Sequence, residues 1–196
     1  MSDPYFFGYG SLVNSQTHVY PGTRPAIIHG WRRAWVGSPA RGVVLLTAIE
    51  SQSDSIQGLA ACVPGGDWNA LDTREEGYAR VWTPNVHIEG FEQPPHTSVY
   101  SVLPEHRVDK VDQVILLSYL DVVAQGFLRV FGAEGLQKFF DTTDGWDTPV
   151  LNDRNAPKYP RHQSLTKQER NMVDDHLAQV SAVVTSEREL NRDHQF

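Results

Sequence analysis

Residues 108–131 read "VDKVDQVILLSYLDVVAQGFLRVF". Val111, Ile115, Leu116 and Tyr119 recur at the spacing of one helical face, and Leu120, Val123 and Phe127 continue it. This stretch is where the chain changes its period. Upstream of Pro104 the apolar runs are short, rich in β-branched and aromatic residues, and separated by turn residues such as "PGGD" at Pro64–Asp67. Residues 4–7, 26–37, 42–51, 56–63, 79–90 and 97–103 each read as a strand. Downstream, Gly132 ends the helix and "GAEGLQKFF" forms a shorter one. Residues 141–163 are polar, hold three prolines and read as a long loop, too long for a mere connector. Thr166 and Glu169 have the spacing of a capping box and announce a last helix running to Val180, followed by a polar, frayed tail. Strands first and helices later imply an α+β fold. The expectation is a single domain over residues 1–196, built on a curled mixed or antiparallel sheet, or a small barrel, flanked by helices.

The bulk properties fit that reading and narrow the function. A chain of 196 residues with 40% hydrophobic and 21% charged residues can bury a core without staples. Seventeen Lys and Arg against 24 Asp and Glu give a net charge of -7, which supplies no general attraction for phosphate backbones. A small-molecule partner is expected rather than nucleic acid, and a local basic pocket for a small anion remains open. The single cysteine, Cys62, excludes an internal disulfide and reads as a small buried hydrophobe. His29, His87, His96 and His106 are scattered without ligand spacing, so neither a metal nor another cofactor is expected. The N-terminus lacks a basic region leading into an apolar segment, and no run of about twenty apolar residues exists to span a membrane. A soluble cytoplasmic protein is the expectation, with monomer and dimer both open.

Two stretches carry chemistry. "YFFGYGSLVN", Tyr5–Asn14, runs an aromatic strand into a glycine turn. Gly8 and Gly10 can adopt positive φ and let a ligand approach the backbone, whose successive N–H groups suit a carboxylate or phosphate. Ser11 adds a hydroxyl. A plain strand-to-turn junction explains the same residues. In "DWNALDTREEGYARVW" Asp67 is placed to cap a helix of two turns over 68–76, with Gly77 just past its end. Glu75 and Glu76 then fall in the last turn, where the helix dipole and desolvation by Tyr78 and Trp82 would raise a carboxylate pKa and suit it to acid–base work. A solvated acidic pair beside Arg74 and Arg80 is the alternative.

Together, "YGSL" at Tyr9–Leu12 and "LDTREEGY" at Leu71–Tyr78 resemble the γ-glutamylcyclotransferase superfamily, most closely its ChaC-type branch. "GWRRAWVGSPARG" at Gly30–Gly42 is similar to the ChaC pattern in which a basic-aromatic strand leads to a Ser and an Arg-Gly pair. "SYLDVVAQGF" at Ser118–Phe127 is similar to the family helix that opens with a ligand-contacting tyrosine. The resemblance implies an enzyme that cuts a γ-glutamyl amide by letting the substrate's own α-amine attack its γ-carbonyl, releasing 5-oxoproline. It implies Glu75 as the catalytic acid and base, and Gly8, Tyr9, Gly10, Ser11, Leu12 and Tyr119 as the substrate-binding set. Glu76 duplicates the acid and takes the role if the short helix is rotated by one position. Arg154, Lys158 and Arg161 in the long loop are candidates for a substrate's second carboxylate. A non-catalytic module that keeps the pocket and recognises an amino-acid-like ligand is the alternative reading.

Overall fold

The computed structural model describes residues 2–39 and 42–193. In chain order the elements are β1 (Tyr5–Gly8), β2 (Arg24–Val36), β3 (Leu45–Cys62), α1 (Asn69–Arg74), β4 (Ala79–Trp82), β5 (Val86–Ile88), β6 (Thr97–Ser101), β7 (Ile115–Leu116), α2 (Leu117–Asp141), β8 (Thr143–Asp144), β9 (Val150–Leu151), α3 (Lys167–Gln179), β10 (Val184–Thr185) and α4 (Glu187–Asp193). The main sheet runs β4-β6-β1-β3-β2-β5, with β8 also pairing β2, and it is mixed: β1 lies antiparallel to β3 and parallel to β6. A small second sheet runs β10-β9-β7.

The connectivity forces the curl. β4 and β5 stand at opposite ends of the strand order, yet only Thr83, Pro84 and Asn85 join them. Such a link reaches no further than about 14 Å, so the sheet must bend until its two edges approach. The long β2–β3 pair supplies the bend at a register shift between His29 and Trp31, where Gly30 takes φ +84°. Inside the curl lies α2. Leu120, Val123, Ala124 and Phe127 from its first half join Phe7, Ile28, Trp35, Leu46 and Ile56 from the strands in one buried cluster. On the other face of β1, Phe6 packs with Leu12, Ala61, Leu71 and Tyr100, so the aromatic pair Phe6–Phe7 serves two cores by simple strand alternation.

The α+β class and mixed, curled sheet agree with expectation; several element boundaries do not. The segments 42–51 and 56–63 form one continuous strand, β3, because the polar Ser51–Ser55 stretch between them contains no glycine or proline to turn it. The segment 79–90 splits into β4 and β5 at Pro84, which cannot donate to a ladder. The long helix starts at Leu117, not upstream. Val111 is 72% exposed, and Asp112 holds φ +57°. Gln113 binds the backbone of Ser38 through both ends of its amide, and the Val44 N–H donates to the Val114 carbonyl. Pairing with distant chain therefore outcompetes local helix formation. Gly132 does break α2, at φ +69°. The 141–163 segment carries β8 and β9 and is not a bare loop, and the described part of the tail folds as β10 and α4. Thr166 and Glu169 form the capping box of α3. Cys62 is half-buried, its thiol directed at Asp3.

Candidate active site

β1 delivers the chain to a turn at Tyr9–Gly10, and Ser11–Val13 then winds into one 3-10 turn. Neither Gly8 nor Gly10 has a positive φ, contrary to expectation. Their lack of a side chain matters for packing instead. A Cβ on Gly8 would sit 2.5 Å from Leu12 Cβ, so this glycine lets the 3-10 turn fold back onto its own strand. A Cβ on Gly10 would lie 2.6 Å from the Tyr119 hydroxyl. That hydroxyl belongs to the first turn of α2. Burial holds the Tyr119 phenol protonated, with its pKa well above the ordinary value. Tyr9 turns into the core, donates to the Tyr100 carbonyl at 2.6 Å and is likewise kept neutral by burial.

α1 brings the acid to this turn. The helix is shorter than expected: its last residue is Arg74, Glu75 stands at the C-cap, and Gly77 reverses the chain at φ +96°. The N-cap is Trp68, whose side chain caps nothing, and not the expected Asp67, which accepts from the Asn69 N–H at 3.1 Å one position upstream of the cap. Arg74 ties acid and turn together. Its Nε donates to Glu75 Oε1 at 3.1 Å, its Nη2 to Ser11 Oγ at 3.2 Å, and its Nη1 to the Thr17 carbonyl at 2.6 Å. The side chain of Glu75 is only 16% exposed, whereas Glu76 is exposed. Tyr78 flanks the acid, with its hydroxyl on the Leu46 carbonyl at 3.0 Å. Trp82, expected to desolvate the acid, is 58% exposed and stacks on His96 at the sheet edge. Arg80 pairs with Asp72 and takes no part.

These groups border a cavity of about 480 Å³. Ser11, Glu75 and Tyr119 line both this cavity and a recess of about 20 Å³ beneath it, whose other walls include Gly8, Tyr9, Gly10 and Leu12. All seven expected site residues thus meet at one place, although Leu12 and Tyr9 contribute mainly as buried packing. The far wall comes from the segment after β9. Tyr159 meets Tyr119 edge-on at 5.0 Å, and Lys158 and Arg161 line the cavity beside it. Arg154 does not join them: it is held by Asp121 and Asp174, each at 2.7 Å. Lys158 pairs with Glu187 at 2.7 Å. Arg74, Trp35 and Tyr159 line the cavity although the sequence reading does not place them there, whereas Tyr78 stands beside the acid as expected. Of the Arg-Gly pair in the expected ChaC pattern, Arg41 lies outside the described residues and Gly42 takes φ +60°.

The fold has solved counterparts. YkqA from Bacillus subtilis matches with a TM-score of 0.58 at 15% identity, over 74% of this chain and 57% of that one. A protein named gamma-glutamyl cyclotransferase matches with a TM-score of 0.56 at 13% identity, over 89% of this chain and 99% of that one. The Homo sapiens protein loc79017 matches with a TM-score of 0.54 at 14% identity, over the same shares. At these identities the likeness is one of fold. No curated protein sequence matches the chain. The family model for ChaC-like proteins matches residues 4–117, which include the glycine turn and Glu75, and the chain belongs to that family.

Proposed function

We propose that the protein is a γ-glutamylcyclotransferase that releases 5-oxoproline from a γ-glutamyl compound. The observation that carries this reading is the convergence of the Glu75 carboxylate, the Ser11 turn and the Tyr119 hydroxyl on one recess. In the proposed reaction the turn holds the substrate's γ-glutamyl head while Glu75 takes a proton from its α-ammonium. The freed amine attacks the γ-carbonyl carbon and a five-membered lactam closes. As the amide bond breaks, Glu75 returns the first proton to the departing nitrogen. The ring nitrogen's surplus proton follows by the same carboxylate, so the amine leaves as its ammonium. The nucleophile belongs to the substrate, so holding the chain folded supplies much of the acceleration. Tyr119, kept protonated by burial, can donate to the carbonyl oxygen as charge develops there.

A cavity of about 480 Å³ accommodates a γ-glutamyl dipeptide or tripeptide. Arg161 at its far wall, beside a Lys158 already paired with Glu187, favours a leaving group that ends in a carboxylate, as in glutathione or a γ-glutamyl amino acid, over a γ-glutamylamine. The test is 5-oxoproline release from a panel of all three classes. Glu75→Gln keeps the shape and removes the base; turnover should fall by about 10²–10⁴-fold with an unchanged melting temperature. Undiminished release by that variant would remove Glu75 from the mechanism, and Glu76→Gln is the paired control.

A further inference from the structure

The two arginines in the middle of β2 have opposite fates. Arg32 points outward and takes Asp144 at 2.6 Å and Asp54 at 3.8 Å. Arg33 points inward and is 1% exposed. Its three hydrogen bonds all go to neutral oxygens: Nε donates to the Tyr9 carbonyl at 3.2 Å, Nη1 to Thr142 Oγ1 at 2.8 Å, and Nη2 to the Gln57 carbonyl. The rings of Phe127 and Phe139 cover it at 4.9 and 5.4 Å. Among the described residues no carboxylate pairs with it. A buried cation without a counter-ion is costly, and a purely mechanical link between strands would be cheaper without the charge.

The Tyr9 carbonyl belongs to the same peptide unit as the Gly10 N–H. In a trans peptide the two point in opposite directions, so anchoring the oxygen on Arg33 aims the Gly10 N–H away from the guanidinium. A hydrogen bond from a cation to the carbonyl also polarises the peptide and strengthens its N–H as a donor. Gly10 lines the recess beside Ser11 and Glu75. We propose that Arg33 is a positioning residue for this site: it fixes the Tyr9–Gly10 peptide and supplies the buried positive charge that makes the turn select an anion. Burial lowers its pKa to about 9, so the guanidinium keeps its charge at neutral pH. The proposal takes from the cyclotransferase reading only the identity of the anion, the α-carboxylate that 5-oxoproline retains.

Calorimetric titration with 5-oxoproline and with its neutral carboxamide separates charge from shape. The wild type should bind the acid more tightly than the amide. Arg33→Met should lose about tenfold or more in affinity for the acid and leave the amide within about twofold, because an uncharged side chain removes a Coulombic attraction that the amide never felt. A Met variant that keeps the preference, or that loses acid and amide equally, overturns the proposal and leaves Arg33 a structural link. Should Arg33→Met fail to fold, Arg33→Lys decides: a retained preference for the acid supports the proposal, and equal loss of both ligands overturns it. A wild type that binds acid and amide alike overturns it as well. Catalysis is judged separately. Release of 5-oxoproline by the wild type with unchanged selectivity in the Met variant sinks Arg33 alone; selective binding lost in the Met variant, with no release from any γ-glutamyl compound, sinks the cyclotransferase reading alone.

Discussion

Around the glycine turn, individual side chains are held by backbone groups of the turn and of the residues that follow it. His18 is one of them. Its Nδ1 accepts from the Tyr20 N–H at 3.3 Å, leaving Nε2–H to donate to the Leu12 carbonyl at 3.1 Å. Burial, reinforced by the nearby Arg74 charge, lowers its pKa below the ordinary 6.5. The unfolded chain therefore takes up this proton first as pH falls. His18 contributes no pH dependence well above 6.5, and it withdraws stability as pH drops through 6.5 towards the lower folded value. Denaturant midpoints measured at pH 7.5 and 5.5 should fall less in His18→Gln than in the wild type; equal falls would clear His18 of the effect. The residue scale also shows what a sequence hides. Ser11, Glu75 and Tyr119 were legible because a motif names them. Arg33 was not, since an arginine on a strand looks the same whether it faces water, like Arg32, or two phenylalanine rings.

Among the elements, the segment after β9 depends on one buried acid. Asp153, 4% exposed, accepts from the Ser118 N–H at 2.7 Å and from the Lys158 N–H at 2.8 Å, and it takes the Ser118 hydroxyl at 2.6 Å. Its carboxylate thus satisfies the first turn of α2 and complements the helix dipole there. The Ser118 oxygen in turn accepts from the Tyr159 N–H at 3.2 Å. The wall bearing Lys158, Tyr159 and Arg161 is therefore clamped to the helix that carries Tyr119. Asp153→Asn turns an acceptor into a donor facing one of these N–H groups and should cost about 2 kcal/mol in stability. If the proposed reaction holds, it should raise KM several-fold with kcat within about twofold, because the clamp orders the cavity wall of Lys158, Tyr159 and Arg161 and not Glu75. Urea melts and steady-state kinetics on the same variant check both parts; a fall in kcat alone would place the clamp in the chemistry instead. At this scale the sequence revealed the capping box of α3 and the break at Gly132, which rest on local rules. It misplaced the start of α2, where pairing with residues far along the chain decides the outcome.

For the molecule as a whole, the reach of the family match and the reach of the core differ. The ChaC-like match ends at residue 117, one residue into α2. The principal buried cluster continues through Phe127, Phe139 and Phe140 to Val173 and Leu177, all of them 1% exposed or less. A chain truncated after Leu117 would leave the concave face of the sheet open to water. The expected outcome is loss of the cooperative thermal transition, followed by circular dichroism and by amide dispersion in NMR. A truncated chain that melts cooperatively would show that the strands close on themselves without α2. Among the described residues no helix is long and apolar enough to cross a membrane.

The sequence by itself determined the class of fold, the mixed strand-then-helix order and the residues that a motif can carry, because periodicity, turn residues and caps act over a few positions. Tertiary structure decided which of two adjacent glutamates is sheltered, which arginines face the turn, and how a segment beyond residue 150 walls a cavity begun at residue 11. Those choices follow from a sheet that must curl because three residues join its two edges, and curling brings together side chains that no local rule relates.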